Sequence, residues 1–192
     1  MTDVDLLKEL VIAAHGDLGK VKHLLAAHPE LLNEAYDWGS AGLETAIGAA
    51  AHVGNRVIAE FLLQQGAPLE ICTAAMLGRN ADVQTFLESN EELANARGAH
   101  GIPVMFHAAL GGRTDIAELL KSRGCKEGYN SALHAAVMFG HLDMINWLLE
   151  NGADDVNPLN FRSETPLQVA MTKGYDEIAE ILRLRGGHAG ER

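Results

Sequence analysis

The sequence predicts an all-α solenoid: about six helical hairpins stacked side by side, with alternately long and short connections. Three observations carry this. First, a β-branched aliphatic residue is followed at i+3 and i+4 by two large apolar residues six times, as Val21-Leu24-Leu25, Ile58-Phe61-Leu62, Val83-Phe86-Leu87, Ile116-Leu119-Leu120, Ile145-Leu148-Leu149 and Ile178-Ile181-Leu182. That spacing places three side chains on one helical face. Second, the first members lie 37, 25, 33, 29 and 33 residues apart, so one small unit recurs. Third, a glycine stands four or five residues before each triplet, at Gly16, Gly54, Gly78, Gly112, Gly140 and Gly174.

Each unit reads in the same order. Four residues before those glycines stand Ile12, Ala50, Ala74, Ala108, Ala136 and Ala170, within short alanine-rich stretches. Small side chains let helices approach closely, and a glycine can take the positive φ that turns one helix into the next. The second helix carries the triplet and ends near Gly66, Gly124, Gly152 or Gly186. Asp115, Asp143 and Glu177 fall at its start, where they cap it or meet the positive end of its dipole. One such unit buries too little apolar surface to offset the entropy of ordering its backbone, so stacked neighbours must supply the rest. The first and last units act as caps, and residues 186 to 192 read as a frayed tail. A single domain is expected over residues 1 to 188, in units of about 1 to 35, 36 to 68, 69 to 94, 95 to 126, 127 to 157 and 158 to 188.

The chain has 192 residues, of which 47% are hydrophobic but only 5% aromatic, so leucine and small residues must do most of the packing. A formal charge of −11 opposes nucleic acid and anionic membrane surfaces, where binding depends on Lys and Arg displacing counterions. Acids at Asp3 and Asp5 stand where a secretory signal would be basic, and no apolar run approaches bilayer length, which points to the cytoplasm. Cys72 and Cys125 lie in different units without metal-ligand spacing and read as free, buried or half-buried thiols.

The motifs resemble those of ankyrin repeats. The family's entry to the first helix is matched by Thr165-Pro166-Leu167-Gln168-Val169-Ala170, by Ser131-Ala132-Leu133-His134-Ala135-Ala136 and more loosely from Thr45 to Ala50. Gly140-His141-Leu142-Asp143 matches its interhelical turn, and Asn151-Gly152-Ala153-Asp154 its unit ending. The resemblance spans about residues 4 to 188 and is strongest from 101 onward. Family units average about 33 residues, and their extra length forms a projecting finger. Here Gly66-Ala67-Pro68-Leu69 and the stretch 124 to 130 leave little room for one, so long fingers are expected at about 33 to 43, 95 to 101 and 154 to 164.

The resemblance implies a non-catalytic protein-binding scaffold that meets its partner on the concave side, through finger tips and the two residues before each interhelical glycine. Met76, Leu77, Leu110, Met138 and Phe139 would then form an apolar strip, a common mark of contact surfaces; burial of the strip by neighbouring units is the competing expectation. The fingers add Trp38, Arg97, His100, Phe161 and Arg162 as contact residues, although Trp38 reads more readily as pinning its own loop. The partner is an unidentified protein, with a second copy of this chain as another occupant. A dedicated inhibitor or immunity-type partner of one enzyme is the alternative, its acidity meeting a basic cleft.

Chemistry finds little support in the spacing. His15, His23 and His28 lack the i, i+4 pair of a zinc helix, and no phosphate loop is present. Trp38-Gly39-Ser40-Ala41-Gly42 departs from a nucleophile elbow at its first position. His134 and His141 occupy structural positions of the resembled family and should bond backbone, and His107 reads as a satisfied half-buried residue. No catalytic, cofactor-binding or metal-ligating residue is assigned. A small hydrolase or ligand-binding protein with a site among His52, His107 and the fingers is the remaining class.

Overall fold

A computed structural model describes residues 2–190. Twelve α-helices pair into six hairpins: α1 (Asp3–Ala14) with α2 (Leu18–Ala27), α3 (Ala46–His52) with α4 (Arg56–Gln64), α5 (Ile71–Leu77) with α6 (Asn80–Ser89), α7 (Val104–Leu110) with α8 (Thr114–Ser122), α9 (Tyr129–Phe139) with α10 (Leu142–Asn151), and α11 (Pro166–Lys173) with α12 (Asp176–Leu184). The odd-numbered helices form one continuous layer, each packed on the next, and the even-numbered helices form the other. Alanine makes the first layer tight. Ala50, Ala74, Ala108, Ala136 and Ala170 are all fully buried.

The triplets behave as one apolar edge per hairpin. Their first members are buried throughout, while Phe61, Phe86, Leu119 and Ile181 sit half-buried at the seam between successive second helices. Five interhelical glycines adopt positive φ, from 66° at Gly112 to 75° at Gly78. Gly16 does not share that conformation, and His15 closes α1 with right-handed helical angles. Glycine is thus required at five of these turns and not at the first.

The long fingers lie where expected, with more structure at the first than the motifs imply. β1 (Ala35–Asp37) and β2 (Leu43–Thr45) form an antiparallel hairpin in the register Ala35 to Thr45, Tyr36 to Glu44 and Asp37 to Leu43. The second finger closes on a bridge between Arg97 and Pro103, and the third on the bond from the Asn160 amide to the Glu164 carbonyl. The third hairpin enters through residues 65 to 70 with no finger at all. As a result the first and second fingers lie side by side, with Ala99 against Gly48.

Two expectations need correction. Asp115, Asp143 and Glu177 lie in the first turns of the second helices, at the positive end of the dipole, but they do not cap them: Arg113, His141 and Tyr175 occupy the N-cap positions of α8, α10 and α12 without a side-chain cap bond. Asp115 instead receives the fork of Arg113, from Nε at 3.0 Å and Nη2 at 2.7 Å, which holds its carboxyl well below the usual range. The expected frayed tail is tied down as far as Gly190, because Thr165 Oγ1 donates to the His188 carbonyl at 2.7 Å and the His188 amide donates to Asn157 Oδ1 at 2.8 Å. Glu191 and Arg192 lie outside the described residues.

Candidate functional site

The concave side does not carry the continuous apolar strip that the sequence offers. Met76, Leu77 and Leu110 are buried, with Met76 fully enclosed. The reason is backbone proximity between first helices: a Cβ on Gly111 would lie 2.5 Å from the Met76 carbonyl oxygen. Arg56 then seals the edge, donating to the Met76 and Leu77 carbonyls at 2.9 and 2.8 Å. What stays open lies toward the C-terminal end. Phe139 is 40% exposed and Phe161, on the third finger, 86% exposed. Together with Met138, Val169, Thr172 and Lys173, Phe161 lines a cleft of about 240 Å³. Arg162 stacks its guanidinium over the Phe161 ring at 5.3 Å. Beneath this surface Phe139 reaches back across the array, so that a Cβ on Gly54 would meet its ring tip at 2.9 Å.

The other finger residues are engaged within the chain, although Arg97 stays exposed. Arg97 donates to the Gly101 carbonyl at 2.8 Å and also pairs with Glu127. Trp38 Nε1 donates to Glu44 Oε2 at 2.7 Å, and its ring packs on Tyr36, so Trp38 pins its loop. His100 folds onto the first finger: Nδ1 lies 3.1 Å from the Ala41 carbonyl and Nε2 3.1 Å from Glu44 Oε1.

Glu44 is the centre of a second constellation, on the N-terminal half of the same concave side. Its side chain is 1% exposed, and three imidazole Nε2 atoms surround Oε1: His52 at 2.9 Å, His100 at 3.1 Å and His15 at 3.7 Å. The His15 and His52 Nε2 atoms are themselves 3.1 Å apart. Burial alone pushes the Glu44 carboxyl up, but the neighbouring imidazoles of His52 and His100 and the Trp38 bond outweigh it and hold it below the usual range. His107 is not part of this group. It is buried, with Nδ1 at 3.0 Å from the Pro103 carbonyl, and burial drives its ring down to about 4.

Spacing within one helix could not find these residues, because they come from different hairpins. A periodic signal was nevertheless present: His15 and His52 lie 37 residues apart, the interval that separates Val21 from Ile58, so both occupy one position of successive units. His134 and His141 do bond backbone, to the carbonyls of Pro158 at 2.6 Å and Leu110 at 3.0 Å. Cys72 and Cys125 are free and buried, and burial pushes the Cys72 thiol up to about 12.

The stacked hairpins, glycine turns and fingers agree with a comparison against known families, in which the model for ankyrin repeats (3 copies) matches residues 71–158 and 105–189. The chain belongs to the ankyrin repeat family. Ankyrin repeats are protein–protein interaction modules. Among curated relatives, an ankyrin repeat protein of fowlpox virus is 32% identical over 126 residues, covering 63% of this chain and 29% of that protein. E3 ubiquitin-protein ligases of Oryza sativa subsp. japonica and Arabidopsis thaliana are 46% and 44% identical over 57 residues, 30% of this ankyrin chain. The match spans only 11% of each ligase, so this chain is similar to a small part of those proteins. No helix among the described ankyrin repeats is long and apolar enough to cross a membrane.

Proposed function

We propose that this ankyrin repeat chain is a non-catalytic scaffold that captures a protein partner through the C-terminal part of its concave side. The observation that carries this reading is the concentration of exposed apolar surface there. Phe161 projects from the third finger almost fully exposed, beside a cleft floored by Met138 and Val169. Such an aromatic, flanked by Arg162 and Lys173, has the composition of an interface anchor with a polar rim. Met76, Leu77, Leu110, Trp38 and His100 drop out of this surface because the stack or the loops already use them.

The test is a charge reversal on the exposed surface alone. Lys173→Glu combined with Phe161→Glu should abolish capture of a specific partner from native extract while the melting temperature stays within a few degrees of the parent. Undiminished capture by that variant would move the contact surface elsewhere. Sedimentation at several concentrations, run on both proteins, separates a second copy of the chain from a different partner.

A further inference from the structure

We propose that His15, His52, His100 and Glu44 form a binding site for one divalent transition-metal ion of the zinc class, which staples the first two hairpins to the second finger. The four residues come from the end of α1, β2, the end of α3 and the tip of the second finger.

Proton positions point the same way. His15 Nδ1 faces the Val11 carbonyl at 2.9 Å and His100 Nδ1 faces the Ala41 carbonyl at 3.1 Å, so in the neutral rings both Nδ1 atoms carry the hydrogen and both Nε2 atoms present lone pairs. Those lone pairs converge on a buried carboxylate oxygen. Lone pairs against a carboxylate repel each other unless a proton or a metal cation lies between them, and one ion at the centre would serve all the rings at once. Histidines that donate from one ring nitrogen to a backbone carbonyl while the other faces a common centre have the outer-shell arrangement of metal ligands.

Glu44 supplies an independent observation. Oε1 is buried and, among the described residues, has no hydrogen-bond partner of acceptable geometry, although three nitrogens lie close to it. A buried carboxylate oxygen left without a donor is costly, and a metal ion would satisfy it. Trp38 meanwhile holds Oε2, leaving Oε1 aimed at the cluster. One ligand atom from each of His15, Glu44 and His52 falls within a sphere of mutual separations below 4.8 Å. The four separations recorded in the cluster run from 2.9 Å to 3.7 Å. Bonds of about 2.0 to 2.1 Å in a tetrahedron put ligand atoms about 3.3 Å apart, so His15, Glu44 and His52 need only small adjustments to close on an ion, while His100 Nε2, 3.1 Å from Oε1 but outside that sphere, must swing toward it.

Ligand chemistry selects the class. Three imidazoles with one carboxylate suit zinc and its transition-metal neighbours better than calcium or magnesium, which prefer all-oxygen shells. With His100 drawn in as the fourth ligand, the tetrahedral shell would be filled by protein, the mark of a structural rather than a hydrolytic site. His100 holds left-handed backbone, with φ at 56°, a conformation uncommon outside glycine that aims its ring at Glu44.

The experiment uses the intact chain after treatment with a chelator and dialysis. Zn²⁺ titrated in competition with a chromophoric chelator should bind at one equivalent with micromolar affinity or better and raise the melting temperature. Co²⁺ in its place should give the intense visible bands of a four-coordinate ion. His52→Ala and His100→Ala should each weaken Zn²⁺ binding by more than about 100-fold, since even outer-shell changes cost roughly 10 to 100-fold. The exposed His23→Ala should leave it unchanged. His100→Ala changes only a finger tip, and its helical circular dichroism without metal checks that the stack persists. Affinity weaker than millimolar, or equal affinity in the parent and both histidine variants, would overturn the site.

Discussion

Single side chains set the tolerances of the stack. Gly111 sits where a Cβ would lie 2.5 Å from the Met76 carbonyl oxygen, a backbone atom that cannot swing aside. Gly111→Ala should therefore destabilise the chain by about 1 to 3 kcal/mol, as read from urea unfolding. Gly16 meets nothing within 4 Å and has no left-handed φ, so Gly16→Ala should stay within about 0.5 kcal/mol of the parent. Comparable losses at the two positions would contradict the close-approach argument. His107 imposes a pH dependence. Its ring is held at about 4 when folded against an ordinary 6.5, so between those values the unfolded chain binds a proton that the folded chain refuses. Stability from this residue is complete above the upper value and falls as the pH drops through the window. About 2 kcal/mol of that loss falls between pH 7 and pH 5. The unfolding free energy of His107→Gln should show that much less change over the same two pH values.

Elements carry the next level of organisation. α11 opens with a capping box, in which the Gln168 amide donates to Thr165 Oγ1 at 3.3 Å and the Thr165 amide donates to Gln168 Oε1 at 2.9 Å. The same hydroxyl donates to the His188 carbonyl, so one side chain both starts a helix and anchors the end of the chain. Thr165→Ala should cost about 1 kcal/mol and speed amide exchange over residues 186 to 190, whereas Thr165→Ser should do neither. Hairpins of this kind were legible in the sequence because helix pairing rests on local periodicity, and the six triplets and glycines report it directly. Finger positions were legible for the same reason, since the intervals between triplets count the spare residues. Burial of Met76, Leu77 and Leu110 was not, because it depends on how closely one alanine-rich helix approaches the next. The Glu44 cluster was hidden for a stronger reason: its four members are spread along the chain from His15 to His100, and only stacking unites them.

At the scale of the whole molecule, stability runs along the stack. Interior first helices such as α5, α7 and α9 are buried from both sides, while α1 and α11 each have a neighbouring first helix on one side only. Hydrogen exchange should accordingly be slowest in α7 and faster, by at least about tenfold, in α2 and α12; a uniform rate across all six hairpins would indicate a single cooperative globule instead. The third hairpin adds a consequence of its own. Because the chain enters α5 with no projecting loop, the loops on either side of the gap become neighbours, and Ala41, Gly48 and Glu44 meet Ala99 and His100 across it. Subtraction in one repeat thereby makes new contacts between two others. A linear array can gain local chemistry by shortening, with no new residue at the place where the chemistry arises.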